Sequence, residues 1–176
     1  TPAEPLFAPV AARMQAEGLP DVVIRTFAHY HAQLAAGETG LIPESTIEPV
    51  DDLPHRDQLG EDVADLGREA LPRTILLKLN GGLGTSMGLD RAKSLLTVKD
   101  GHTFLDIIAG QARHAGVSLV LMNSFATRED SLAALAAHGD LPGDLPPDFL
   151  QHKVPKIRRE DLQPATCERD PALAWC

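Results

Sequence analysis

The sequence predicts an α/β protein built on a mostly parallel sheet with flanking helices. Three observations lead there. Two apolar runs, Thr74-Ile-Leu-Leu-Lys-Leu79 and Val117-Ser-Leu-Val-Leu-Met122, read as buried strands. Between and after them lie capped helical stretches, which give the strand–helix alternation of a parallel sheet covered on both faces. Directly after the first run, Gly81, Gly82, Gly84 and Gly88 fall within eight positions. Glycines at that density let backbone N–H groups approach a ligand closely.

Composition bounds the possibilities. The 176 residues suffice for one ordinary domain with a core, and 43% hydrophobic residues make the chain globular. With 4% aromatics the core is mainly aliphatic. A formal net charge of −9 argues against nucleic acid as a general partner. From Lys78 to Lys99 the balance reverses, with Lys78, Arg91, Lys93 and Lys99 against Asp90 alone. A locally basic loop on an acidic protein suits a small polyanion such as a nucleoside triphosphate, and equally a solvated basic face. Cys167 and Cys176 form neither a disulfide framework nor a metal-type spacing, so a cytoplasmic setting is expected. No apolar run approaches the length of a membrane span, and the first residues lack the pattern of a signal peptide.

In chain order, Leu6–Glu17 and Asp21–Ala36 carry apolar residues in helical register, separated by Gly18-Leu-Pro20 and closed by Gly37. His29 and His31 have no partner at i+4 and read as surface or half-buried residues. Glu38–Gly60 is polar and punctuated by Pro43, Pro49 and Pro54, which predicts a linker with a short extended piece at Thr46–Val50. Glu61–Leu71 predicts a further helix, ended by Pro72. After the glycine stretch, Lys93–Val98 is a short apolar run turned by Asp100-Gly101. Thr103 with Asp106 has the spacing of a capping box, and Gly116 closes that helix. Thr127 with Asp130 repeats the spacing ahead of a helix closed by Gly139. Phe149–Val154 predicts another strand, ended by Pro155. Lys153, Lys156, Arg158 and Arg159 read as a solvated basic face. The domain layout expected is 1–37 N-terminal helices, 38–72 a linker and short helix packing on the core, and 73–176 a nucleotide-binding domain.

Ligands of parallel sheets bind at the carboxyl ends of the strands, here the glycine loop after Leu79 and the loop Asn123-Ser-Phe125. A strand, a glycine-rich turn and a lysine beyond it are what nucleotide phosphates need, although a tight structural turn without ligand is the plainer alternative. No Lys-Ser/Thr follows Gly88 directly, so the loop is not a Walker A motif. A dinucleotide fingerprint fails as well, because Met87 stands where the third glycine belongs, and no carboxylate follows at a strand end for a ribose.

Lys78-Leu-Asn-Gly-Gly-Leu-Gly-Thr-Ser-Met-Gly88 with Lys93-Ser94 resembles the nucleotide-binding signature of the UTP–glucose-1-phosphate uridylyltransferases (UDP-glucose pyrophosphorylases). Leu121-Met-Asn-Ser-Phe125, Phe149-Leu-Gln-His-Lys-Val-Pro155-Lys156 and Trp175-Cys176 agree with the family in order. The resemblance implies a Rossmann-like fold of the nucleotide-diphospho-sugar transferase type, incomplete here. It implies that Leu79, Asn80, Gly81 and Gly82 hold the uridine end of UTP through backbone contacts, that Gly84 and Thr85 lie along the phosphates, and that Lys93 neutralises them during transfer. Gln151 would hydrogen-bond the uracil, a task that suits an amide with one donor and one acceptor. The family usually has Gly-Pro before the lysine, whereas Arg91-Ala92 stand here.

The activity implied is synthesis of UDP-glucose and pyrophosphate from UTP and glucose-1-phosphate with Mg²⁺. The resemblance covers roughly Leu71 to Cys176 and places the metal-binding Asp, the sugar pocket and a C-terminal domain beyond it. The chain therefore reads as an N-terminal portion, inactive by itself. A non-catalytic uridine-nucleotide-binding module and a pyrophosphorylase for another sugar-1-phosphate are the alternatives.

Overall fold

A computed structural model of the protein describes residues 4–84, 88 and 91–176. The chain forms two compact units, one running up to Asp51 and including His152–Cys176, the other spanning Asp52–Gln151.

The first unit opens with two helices, α1 (Glu4–Ala16) and α2 (Asp21–Ala35), within two residues of the bounds their apolar periodicity predicts. Gly18, at φ 73°, makes the turn between them, a conformation that costs a residue with a Cβ. Val10, Met14 and Ile24 form the core, with Phe7, Phe27, Val154 and Ile157 packed against it. His31 corrects the sequence reading: it is buried, at 2% exposure. It follows Ile24 by seven residues and Phe27 by four, so the helical period carries it onto the inner face. Its ring lies 5.2 Å from that of Phe7, and its Nε2 sits 3.0 Å from the Leu162 carbonyl oxygen. A carbonyl only accepts, so Nε2 carries the proton.

The predicted strand Phe149–Val154 also needs correction. The ladder strand is only Asp148–Leu150, and the chain then pairs separately within the first unit. Val154 and Cys176 exchange backbone hydrogen bonds of 2.9 and 2.8 Å, and Lys156 N–H donates to Ala174 at 2.9 Å. Pro155 faces Trp175 between them, in the position of an antiparallel pair that needs no N–H, which is why a proline is tolerated. Two cations approach the Trp175 ring, with the Arg13 guanidinium 5.1 Å and the Lys153 ammonium 4.7 Å from its centre. Lys153 also pairs with Glu17, and Arg158 with Asp161, so the basic cluster is partly neutralised locally. At Thr46–Val50 no strand forms among the described residues, although Ile47 has extended backbone; single 3-10 turns at Glu44–Thr46 and Arg56–Gln58 mark this region.

The second unit holds α3 (Glu61–Ala70), β1 (Ile75–Asn80), β2 (Thr97–Lys99), β3 (His102–Thr103), α4 (Phe104–Ala115), β4 (Ser118–Asn123), α5 (Arg128–Ala136) and β5 (Asp148–Leu150). Strands β1, β4 and β5 form a parallel sheet in that order, with Asn80 opposite Asn123 and Asn123 opposite Leu150. All three strands therefore end along one edge. The antiparallel pair of β2 and β3 stands apart from this sheet. Thr103 caps α4 as its spacing predicts: its hydroxyl accepts from Asp106 N–H at 3.1 Å, and its own N–H donates to the Asp106 carboxylate at 2.7 Å. Gly116 closes the helix at φ 68°.

Leu105, Ala109 and Ala112 of α4, Leu119 and Leu121 of β4, and Leu135 of α5 make one core with Val117. Both helices thus cover the same face of the sheet. On the other face Ile75, Leu77, Leu79 and Phe149 are 51, 49, 62 and 46% exposed, so the expected cover on both faces is not met among the described residues. The reason is topological. The crossovers β1–α4–β4 and β4–α5–β5 step in the same direction, and right-handed crossovers in one direction place their helices on one side.

Candidate functional site

The edge where β1, β4 and β5 end carries a buried polar cluster. Asn80, the last residue of β1, is 4% exposed. Its amide nitrogen donates to Asn123 Oδ1 at 2.7 Å and to Ser131 Oγ at 2.8 Å, while its Oδ1 accepts from the Ser94 hydroxyl at 2.5 Å. The Asn80 carbonyl accepts from the Thr127 hydroxyl at 2.7 Å. Thr127 departs here from the capping-box reading: its side chain makes no cap bond to α5. Its hydroxyl instead accepts from Ser124 N–H at 3.0 Å and donates to β1, because the backbone there is already αR and turns it towards the strand ends.

Asn123, the last residue of β4, is fully buried and reaches both neighbouring strands. Beyond accepting from Asn80, its amide donates to Asp148 Oδ2 at 3.0 Å, and its carbonyl accepts from Gln151 N–H at 2.8 Å. Arg128 closes the series with a two-pronged contact to Asp148, at 2.8 and 3.2 Å. The Arg128 hydrogen bond, with help from Asn123, holds the Asp148 carboxyl below the ordinary carboxylate range, against the opposing effect of burial.

Gly81 follows Asn80, and Gln151 follows β5, so both lie directly beyond the strand ends. They touch: a Cβ placed on Gly81 would lie 2.8 Å from Gln151 Cδ and 3.1 Å from Nε2, and closer still to Oε1. The Gln151 amide therefore lies over the Gly81 backbone, and only glycine leaves it room. At Gly82 a Cβ would meet nothing within 4 Å. The loop is tied at its base as a narrow hairpin, with Lys93 N–H donating to Gly82 at 3.2 Å and Gly84 N–H to Arg91 at 3.0 Å. Leu83 and Ala92 face each other between these bonds, so Arg91-Ala92 form part of the hairpin's returning limb. The Lys93 side chain is exposed, Gly84 is buried, and the Leu79 carbonyl accepts from the Lys78 ammonium at 2.9 Å. Thr85 lies outside the described residues.

Sequence reasoning named Asn123 and Ser94 only as parts of motifs and missed Asp148, Arg128, Thr127 and Ser131 as members of this cluster. Their partners are 20 to 51 residues away in the chain, and no local spacing announces them. The one usable signal was polar residues at the ends of apolar strands, Asn80 and Asn123, where burial demands partners.

A family model described as UTP–glucose-1-phosphate uridylyltransferase matches residues 24–176. The chain belongs to that family. Among its relatives are the uridylyltransferases of Hordeum vulgare, 33% identical over 89% of this chain and 37% of the relative, and of Solanum tuberosum, 38% identical over 62% and 24%. Among solved structures, the UDP-glucose pyrophosphorylase of Leishmania major is similar at a TM-score of 0.83 and 34% identity, over 98% of this chain and 37% of that one. A variant of the same enzyme in complex with UDP-glucose is similar at a TM-score of 0.82 and 34% identity, over 97% of this chain and 37% of that one. The chain thus spans between a quarter and two fifths of the length of these uridylyltransferases and pyrophosphorylases. Its α/β architecture is that of the family's nucleotidyltransferase fold.

Proposed function

We propose that this chain supplies the uridine-nucleotide half of a uridylyltransferase, and that the whole protein makes UDP-glucose and pyrophosphate from UTP and glucose-1-phosphate. The observation that carries the reading is the Gln151 amide lying on the Gly81 backbone at the carboxyl ends of the strands. That edge is where sheets of this class bind nucleotides. An amide there can donate to one uracil carbonyl and accept from N3–H, while the open backbone at Gly82 lets the nucleotide lie close. Leu79 and Asn80 lead the backbone into this turn, Gly84 and Thr85 lie along the phosphates, and Lys93 offsets their charge.

In the reaction a phosphate oxygen of glucose-1-phosphate attacks the α-phosphorus of UTP. The new P–O bond joins the sugar phosphate to the uridylyl group, and the bond to the β-phosphate breaks, releasing pyrophosphate. Positioning and charge stabilisation do most of the work in such displacements. Lys93 contributes as charge builds on the leaving pyrophosphate. Mg²⁺ belongs to this reading as a counter-ion of the phosphates. The residues described here do not fit a metal cage: no group of three His, Cys, Asp or Glu among them could hold an ion, and Asp148 is taken up by Arg128 and Asn123. Among the described residues no helix is long and apolar enough to cross a membrane, and a cytoplasmic location accords with two free cysteines.

Calorimetric titration with UTP tests the nucleotide reading, with Lys93→Ala as control. Binding that weakens in the variant supports it, and no binding by the wild type refutes it. Incorporation of label from UTP into UDP-glucose by the full-length protein tests the activity. The 176 residues alone are expected to bind UTP without turnover; UDP-glucose formed by them would refute the division of the site.

A further inference from the structure

Asn123, the last residue of β4, links the end of β1 to the first residue of β5 through its side chain. Asn123 is fully buried and uses both ends of its amide. Its oxygen accepts from Asn80 on β1, its nitrogen donates to Asp148 on β5, and its carbonyl receives the backbone N–H of Gln151. Asp148 is held in turn by Arg128, at the first turn of α5. We propose that Asn123 and Asp148, steadied by Arg128, are positioning residues that set the distance between the Gly81-Gly82 turn and the Gln151 amide, and so determine how tightly the uracil base is held. This inference rests on the uridine-nucleotide reading of the site.

Several facts combine here. Gly81 and Gln151 follow strands that do not pair with each other, since β4 lies between them. Their separation is therefore set across β4, through its end residue. The separation has little slack, because the Gln151 amide already lies in contact with the Gly81 backbone. A shift of a few tenths of an ångström would change the fit of a base wedged beside them. The chemistry of Asn123 is also specific. One atom must accept from an amide and another must donate to a carboxylate, which neither Asp nor Leu does at neutral pH. A solely structural role would be met as well by an apolar pair of the same volume.

The test is made on the full-length protein with two probes, UTP and inorganic tripolyphosphate, titrated calorimetrically. UTP reports base and phosphates together; tripolyphosphate reports the phosphates alone. Asn123→Asp, assayed at about pH 8.5, sets two carboxylates against each other across a 3.0 Å contact. UTP affinity is expected to fall about tenfold or more while tripolyphosphate affinity stays within twofold. Asn123→Asp combined with Asp148→Asn restores one donor facing one acceptor between the strands but removes the acceptor that Arg128 Nε shares at Asp148 Oδ2, so the UTP affinity is expected to recover in part. Equal losses for both probes, or no recovery in the double variant, would overturn the inference. If Asn123→Asp does not fold, as judged by circular dichroism, the exposed Arg128→Met carries the test, with a selective loss of UTP affinity of about three- to fivefold expected and an unchanged ratio of affinities overturning it. A wild type that binds UTP no better than tripolyphosphate overturns the uridine reading and this inference with it. A wild-type preference that survives intact in the variants overturns this inference alone.

Discussion

Replacing Gly81 by alanine separates binding from stability at a single methyl group. Gly81 has no positive φ, so the backbone accepts alanine, and the loss of unfolded-chain entropy offsets part of any cost. The obstacle is the Gln151 amide, with Cδ 2.8 Å and Nε2 3.1 Å from the new Cβ, where ordinary contacts begin at 3.4 Å. The amide is the far end of a flexible side chain, so it swings aside. Stability should change by less than about 1 kcal/mol. Binding should suffer more, because the displaced amide gives up two hydrogen bonds to the base, each worth about 0.5–1.5 kcal/mol net. Together that is about 1–3 kcal/mol, or roughly five- to 150-fold in the UTP dissociation constant. The assay is a double-mutant cycle in calorimetry with Gly81→Ala, Gln151→Ala and the pair. If Gly81 is glycine to make room for Gln151, the pair should bind UTP about as Gln151→Ala does alone. Losses that add would place the need for glycine elsewhere in the loop. A Gly81→Ala protein that binds UTP within twofold of wild type would refute the reasoning altogether.

Three further outcomes are expected. Asn80→Leu should destabilise the protein by about 2–4 kcal/mol in urea unfolding, since it strands the Asn123 oxygen and the Ser94 hydroxyl in a buried cluster. Lys93→Ala should weaken UTP binding about tenfold at low ionic strength, and the deficit should shrink as salt is raised, because an exposed charge acts through a screened field. The third concerns pH. The Asp148 carboxyl is depressed when folded, so the stability it contributes is fully present above its unfolded value of about 3.9 and is lost as pH falls through the lower folded value. Arg128→Met removes the main cause of that depression, so its stability deficit against wild type should be largest near neutrality and should narrow as the pH is taken below about 4. Urea midpoints across that range check it, and a deficit that does not change with pH would show that Arg128 acts by packing alone.

Local chemistry was legible in the amino-acid sequence because its partners are close along the chain. Thr103 and Asp106 are three residues apart, Gly116 directly follows its helix, and the run into Asn80 has a strand's composition; each was readable without a fold. The glycine loop was readable for the same reason, since its glycines and Lys93 lie within 13 residues of one another in the chain. Thr127 shows the limit. Its spacing to Asp130 promised a helix cap, yet its hydroxyl serves a carbonyl 47 residues earlier in the chain, because the end of β1 presented an acceptor that no local pattern records. His31 went astray in the same way, its burial decided by Phe7 and by a carbonyl 131 residues later. The sequence by itself thus determined which residues we propose to meet a nucleotide. Tertiary structure alone decided what holds them there: the order β1–β4–β5 sets Asn123 between the two halves of the site, and hydrogen bonds between strand ends, unlike helical ones, join residues that the chain keeps far apart.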